Sequence, residues 1–188
     1  MKIKFRALLT MCGDPVENGE LVIDDGNIVE IATQSDNDDA ALDLSDYLLM
    51  PGFINAHSHI SLTALEKKLS PSDSFVNWIR ALISFNCALD KDSRIQGIHS
   101  GAEVMRRSGV TALGDYVADP EMLYVIGDLG FRSVLFIETI GFHPEKAQEF
   151  CKNVEEVLMR GNPSLICQLG LAPHAPYSVS PELFRSLG

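Results

Sequence analysis

The chain has 188 residues, 46% hydrophobic and 22% charged, a composition typical of a globular protein with a sizeable core. Its 26 acidic and 15 basic side chains give a net charge of −11, so nucleic acid is a poor partner. No stretch approaches the roughly 20 apolar residues of a membrane span. Four cysteines without a Cys-x-x-Cys pair predict free thiols, and we expect a cytoplasmic protein without membrane partners.

The first 50 residues are predicted to form β-structure. Asp25-Gly26 joins two short apolar segments and is typical of a hairpin turn. Two segments rich in turn-forming or acidic residues are expected to be loops, at 12–19 and 34–40. The expected strands cover residues 3–11, 20–24 and 27–32, and residues 42–50 lead into the next segment.

From Pro51 onwards, the pattern changes to strands that alternate with helices, which predicts a parallel sheet covered by helices. Apolar residues at helical spacing predict helices over 73–89 and 92–108, the second ending at Gly109. Further strands are expected at 110–115, 131–138 and 164–172, and further helices at 120–129, 144–160 and from 180 onwards.

The segment Pro51-Gly-Phe-Ile-Asn-Ala-His57-Ser58-His59 reads as a short strand that ends in two histidines. Side chains alternate along a strand, so His57 and His59 are expected on one face and Ser58 on the other. Two neighbouring imidazoles supply half of a metal site. The alternative is a pair of loop histidines without a ligand.

This segment resembles the first-strand signature of the amidohydrolase superfamily. The motif Ala172-Pro-His174-Ala-Pro-Tyr-Ser178 is similar to the substrate-contacting motif after barrel strand four of its cytosine deaminase and chlorohydrolase-like branch. The branch includes nucleoside, S-adenosylhomocysteine and aminodeoxyfutalosine deaminases. The resemblance implies an α/β fold: a partial β-sandwich over residues 1–50, then four βα units of a (β/α)8 barrel over residues 51–188, about half of the roughly 250 residues that a complete barrel needs.

The resemblance also implies a metal-dependent hydrolase that deaminates a small heterocyclic or nucleoside-like substrate. His57 and His59 are then metal ligands, for Zn²⁺ or alternatively Fe²⁺. His174 is expected to bind the substrate, with a metal ligand as the alternative. Three further residues are candidates for substrate binding, although each has a structural alternative: Glu138, Asp115 and Trp78. Asn86 and Cys87 stand near the position where nucleoside deaminases carry a ribose-binding Glu, so the resemblance does not imply ribose recognition.

No His-x-x-Glu follows residue 59 in these 188 residues, so we expect this chain alone to bind metal weakly and to be inactive. Two alternatives stay open: a chlorohydrolase of the same family, and a non-catalytic fragment stabilised by self-association. Because half a barrel exposes apolar faces and strand edges, we expect a second copy or the missing C-terminal half to cover them.

Overall fold

The structure is a computed structural model that describes residues 1–33, 41–70, 74–161 and 164–188. The chain divides into two compact units, Met1–Gly52 and Phe53–Gly188. The loop predicted at 34–40 lies outside the described residues. No helix within the described ranges is both long and apolar enough to span a membrane.

The first unit is a four-stranded sheet in the order β3-β2-β1-β4. β1 pairs antiparallel with β2 and parallel with β4, and β2 pairs antiparallel with β3. Asp25 and Gly26 both have positive φ between β2 and β3, so the hairpin prediction is confirmed. The strands are β1 (Lys2–Leu8), β2 (Val16–Asp24), β3 (Asn27–Thr33) and β4 (Ala41–Leu49).

The prediction of a loop over 12–19 is wrong at its end, because β2 begins at Val16. Val16, Glu17 and Gly19 pair with β1, and this tertiary pairing overrides the turn-like local composition. Gly19 is needed there, since a Cβ atom would lie 2.7 Å from the ring of Phe5. Phe5 packs in the buried core described for this unit, together with Leu8 and Leu21.

The second unit contains a four-stranded sheet in which all neighbours are parallel, in the order β5-β6-β7-β8. The predicted alternation of strands and helices is confirmed. Because the strands are parallel, their carboxyl ends meet at one edge of the sheet. The strands are β5 (Phe53–Ser58), β6 (Val110–Val117), β7 (Arg132–Thr139) and β8 (Cys167–Pro173).

Helices separate these strands, and side chains cap several of their first turns. Ser74 Oγ, Asp90 Oδ1 and Ser180 Oγ each accept a backbone N–H at the start of a helix. The predicted helices from Pro120 and Pro144 each start with a 3-10 turn. The helices are α1 (Phe75–Ala88), α2 (Lys91–Arg107), α3 (Leu123–Gly127), α4 (Ala147–Met159) and α5 (Pro181–Leu187).

A 3-10 turn directly after β5, Ile60–Leu65, was not expected from the sequence. It packs closely against α2, because Gly97 and Gly101 have no side chains. A Cβ atom on Gly97 would lie 2.6 Å from the backbone nitrogen of Ala64, and one on Gly101 would lie 2.5 Å from Thr63 Oγ1. Ile60 and Ile98 are buried in the main core at this contact. The glycines of α2 therefore fix the position of the chain that leaves β5.

Candidate active site at the carboxyl ends of β5 to β8

We call the face of the second sheet that carries Tyr116, Phe136 and Glu138 the open face. Tyr116 and Phe136 stack with ring centroids 4.9 Å apart. A groove with a volume of about 440 Å³ lies on this face towards the amino ends of the strands, where Arg132 and Gln168 line it, and not at the carboxyl ends that carry the predicted site residues. The residues of the opposite face, such as Leu135 and Ile137, are buried in the core. Residues from all four strands line this groove, among them Ile54, Ala56, Gly114, Val134, Phe136 and Gln168.

The imidazoles of His57 and His59 lie together at the end of β5. Their ring centroids are 5.4 Å apart, in an edge-to-face arrangement. Both rings approach Tyr116, with centroid distances of 4.3 Å from His57 and 5.7 Å from His59. Ser58 lies between them in sequence but is buried, with its hydroxyl against β6. The two histidines therefore share the open face, as expected from strand alternation.

An irregularity in β5 contributes to this arrangement. The pairing with β6 passes from Asn55↔Leu113 to Ser58↔Asp115, so three residues advance on β5 while two advance on β6. The extra residue is a bulge, which changes the face that the following side chains occupy. Ile54 lines the open face, and the bulge places His57 and His59 on that face too, although a regular strand would alternate the even and odd positions.

A backbone carbonyl holds the ring of His59. Its Nδ1 lies 3.1 Å from the carbonyl oxygen of Tyr116, which can only accept a hydrogen bond. A neutral His59 therefore carries its proton on Nδ1, and its Nε2 presents a lone pair. This is the protonation that a metal-binding imidazole needs.

The side chain of Asp115 lies on the buried side of the sheet, whereas the two histidines lie on the open face. Its side chain is 0% exposed, and its Oδ1 accepts hydrogen bonds from Ser58 Oγ at 2.7 Å and from the Ile60 N–H at 2.8 Å. Burial raises the pKa of Asp115 to about 6, although the two hydrogen bonds act in the opposite direction. The substrate contact expected for Asp115 must be corrected, because a fully buried carboxylate on the far side of the strand has no access to a ligand on the open face.

His174 follows β8 and is held by its own loop. Its backbone N–H donates to the carbonyl of Thr139, and its Nδ1 lies 2.7 Å from Ser178 Oγ. The ring of Tyr177 stands edge-on at a centroid distance of 6.1 Å. The side chain of His174 is exposed, so it is available to a ligand. The described contacts do not join it to the His57 and His59 pair.

Glu138 is half-buried near the end of β7. It follows Phe136 by two residues and so shares the open face with the aromatic stack beside His57. Its charge is close enough to oppose ionisation of Asp115. The position agrees with the predicted substrate role, which stays a prediction.

Trp78 lies on α1, half-buried, and stacks on Phe75 at a centroid distance of 6.0 Å. α1 has no fully buried residue, and several of its apolar side chains are exposed. Asn86, near the end of this helix, accepts a hydrogen bond from Arg94 through its side chain at 2.7 Å. Asn86 is therefore engaged in joining α1 to α2, and it offers no carboxylate to a sugar.

Within the described ranges, no group of three or more His, Cys, Asp or Glu side chains is arranged to hold a metal ion. Among the predicted site residues, the described ring contacts join His57 and His59, and Asp115 lies close enough to His59 and Glu138 to feel their charges. Sequence reasoning missed the roles of Ser58, Tyr116 and Ser178, which contact the predicted residues directly. Ser58 had one available signal, since strand alternation predicted that its side chain points away from the two histidines.

Comparison with known protein families matches residues 48–187 to the Amidohydrolase family. A 5-methylthioadenosine/S-adenosylhomocysteine deaminase of Archaeoglobus fulgidus is 29% identical over 89% of this chain and 42% of its own length. The crystal structure of Helicobacter pylori aminofutalosine deaminase in complex with methylthio-coformycin superimposes with a TM-score of 0.79 at 23% identity. It covers 99% of this chain and 47% of that chain.

A further structural neighbour is an adenosine deaminase from Xanthomonas campestris with bound zinc, with a TM-score of 0.80 at 20% identity. This likeness covers 99% of this chain and 45% of the neighbour. At such identities the structural comparisons concern the fold alone. The chain spans less than half the length of these relatives.

Proposed function

This chain belongs to the amidohydrolase family, and we propose that it is the N-terminal part of a metal-dependent hydrolase that deaminates a small heterocyclic or nucleoside-like substrate. The curated relatives support the reaction class, since several are named as deaminases of adenosine derivatives. The observation that carries the proposal is the pair of imidazoles at the end of β5, with centroids 5.4 Å apart and a carbonyl on Nδ1 of His59.

The residues present fit a divalent metal as part of a ligand set. Imidazole nitrogen suits Zn²⁺, and Fe²⁺ is also compatible. A catalytic zinc needs about three protein ligands and an open position, and the described residues offer His57 and His59. The remaining ligands are proposed to come from a C-terminal part. When bound, the metal supplies Lewis-acid activation of water at neutral pH.

Side chains other than His57 and His59 are proposed to bind and orient the substrate. His174 presents an exposed imidazole whose Nδ1 is held by Ser178, so its Nε2 can exchange a hydrogen bond with a heterocycle. Trp78 and Phe75 offer a stacked aromatic pair for a planar ring. Glu138 offers a carboxylate for an N–H or O–H group. The proton transfer to the leaving nitrogen is assigned to a carboxylate of the C-terminal part.

The second unit is proposed to be the first four βα units of a (β/α)8 barrel, and the first unit part of a β-sandwich, with the boundary near residue 50. The division into Met1–Gly52 and Phe53–Gly188 supports this boundary. The parallel sheet with β5 and β8 as its edges supports an open half-barrel.

The edges and the open face are proposed to be covered by a second copy or by the C-terminal half. Ile54, 74% exposed on the edge strand, is one of the apolar side chains that such a partner would bury. Sedimentation of the purified chain tests this proposal, and we expect a self-associated species. A well-folded monomer without exposed-surface dye binding would contradict it.

Two alternatives are decided by experiment. A chlorohydrolase of the same family would release chloride from a chlorinated heterocycle in place of ammonia. A non-catalytic fragment would neither bind metal nor turn over a substrate.

The four cysteines form no disulfide, which supports the proposal of a reducing compartment such as the cytoplasm.

Calorimetric titration with Zn²⁺ tests the proposed site on the 188-residue chain, and His99→Ala serves as the control. We expect weak binding in the wild type and the control, and none in His57→Ala or His59→Ala. Equal binding in all four proteins would overturn the assignment. An ammonia-release assay with adenosine derivatives is expected to be negative for this chain and positive for a version extended by a C-terminal half.

A further inference from the structure

Asp115 is a buried acid that the proposed chemistry does not use. Transferring a carboxylate from water into a protein interior costs several kcal/mol unless the interior compensates it. Here Oδ1 accepts two hydrogen bonds, whereas no partner of Oδ2 is found among the described residues. An apolar residue at this position would pack without that cost. The carboxylate therefore needs an explanation other than stability.

The two donors to Asp115 stand immediately before and after His59. Ser58 donates through its hydroxyl and Ile60 through its backbone N–H, both to the same oxygen. Asp115 thus holds the chain on both sides of a single residue. The next residue along β6, Tyr116, holds the ring of His59 through its carbonyl oxygen. Two consecutive residues of β6 therefore hold the chain on both sides of His59 and its ring.

Because of the bulge in β5, the backbone hydrogen bonds between β5 and β6 do not by themselves hold the chain around His59. Regular pairing with β6 is interrupted between Asn55 and Ser58, and β5 ends at Ser58. An unpaired extra residue weakens the ladder where the two histidines stand. The Asp115 carboxylate replaces the missing ladder with two short hydrogen bonds at the strand end. A charged acceptor forms stronger hydrogen bonds than a neutral one.

We infer that Asp115 is a positioning residue that sets the backbone at the end of β5 and thereby aims His57 and His59 together at the open face. Ser58 is the side chain through which it acts. This inference rests on the proposed function only in assigning a metal to the two histidines. The geometric part, that Asp115 and Ser58 fix the orientation of the two rings, stands without a metal.

The first experiment uses the metal-free 188-residue chain and follows its histidine side chains by ¹H–¹⁵N correlation NMR. Ser58→Ala and Asp115→Leu remove the hydrogen bonds, whereas Ser58→Thr retains the hydroxyl and Asp115→Asn retains an acceptor oxygen. Ser164→Ala is the matched control, because Ser164 Oγ donates to the Gly127 carbonyl at 3.2 Å away from this strand end. Circular dichroism checks that each variant is folded.

We expect Ser58→Ala and Asp115→Leu to shift the His57 and His59 signals and to lose the protected Nδ1–H of His59, while His174 is unchanged. Ser58→Thr and the control are expected to match the wild type. Unchanged His57 and His59 signals in a folded Ser58→Ala chain would overturn the inference. If Asp115→Leu does not fold, Ser58→Ala decides the question.

The second experiment measures Zn²⁺ affinity in the same proteins. Removing an outer partner of a ligand typically weakens metal affinity roughly 10- to 100-fold, and we expect a loss in this range for Asp115→Leu, a smaller loss for Ser58→Ala and none for Ser58→Thr. Equal affinity in folded Asp115→Leu and wild type would contradict the positioning role. If the wild type binds no Zn²⁺, the proposed function fails, whereas the NMR result still decides the role of Asp115.

Discussion

The end of β5 and the end of β8 both present histidines at the same edge of the sheet, but the two are held in different ways. Ser58, His59 and Ile60 are fixed by partners on β6 that are 55 to 57 positions away in sequence. The ring of His174 is fixed by Ser178, four residues further on. The first arrangement depends on the folded sheet, and the second is mainly a property of a local loop.

The difference implies different responses to perturbation. Changes that loosen the contact between β5, β6 and α2 should displace His57 and His59 and leave the loop of His174 intact. Changes within residues 174–178 should act on His174 alone. A short local motif is also easier to recognise in a sequence than a contact between distant positions.

The largest expected effect concerns the pH dependence of stability in the β5–β6 region. The pKa of Asp115 is about 6 in the folded chain, raised by burial from 3.8. The folded state therefore holds this proton more tightly than the unfolded state. The contribution of this proton to the free energy of unfolding is fully present below about pH 4 and is lost as the pH rises through about 6. A shift of about two pKa units corresponds to about 3 kcal/mol.

Urea denaturation between pH 3.5 and 7.5, with a chelator present, measures this effect. The quantity compared is the difference in unfolding free energy between the wild type and Asp115→Asn, because other carboxylates titrate in both proteins. We expect the wild type to lose stability relative to Asp115→Asn as the pH rises from 4 to 6. A constant difference over this range would show that Asp115 titrates normally.

The next effect tests the packing that supports the end of β5. Gly97→Ala places a Cβ atom 2.6 Å from the Ala64 nitrogen, so α2 or the 3-10 turn after His59 must move. Overpacking of this kind costs about 1–3 kcal/mol, although alanine is intrinsically the better helix former. Thermal or urea denaturation measures the loss. Ser100→Ala, exposed on the same helix, should be neutral or slightly stabilising, and equal behaviour of the two variants would refute the close contact.

The smallest effect belongs to the local loop after β8. Ser178→Ala removes the partner of His174 Nδ1 and should lower the unfolding free energy by about 1 kcal/mol. Its NMR signature is expected to be confined to His174, with the signals of His57 and His59 unchanged. Ser186→Ala, which removes an exposed hydroxyl bonded within α5, is the control. Coupled shifts at His59 would contradict the separation of the two regions.

The contrast between local patterns and contacts of residues distant in sequence also accounts for what the sequence could predict. The parallel sheet follows from regular apolar segments and helical spacing, and the proximity of His57 and His59 follows from strand alternation. The burial of Asp115 could not be predicted, because an acid at a strand end gives no sign of which face it occupies. The start of β2 at Val16 and the close approach of Gly97 to Ala64 depend on tertiary contacts, which no local pattern encodes.

The most direct measurement is anomalous diffraction at the zinc edge from crystals of this chain grown with Zn²⁺. We predict a zinc peak bound by His57 and His59, about 2.0–2.1 Å from the nitrogen of each ring, with Nδ1 of His59 still on the Tyr116 carbonyl. Zinc that binds at other histidines while these two rings stay metal-free, or rings that face opposite sides of β5, would contradict the account.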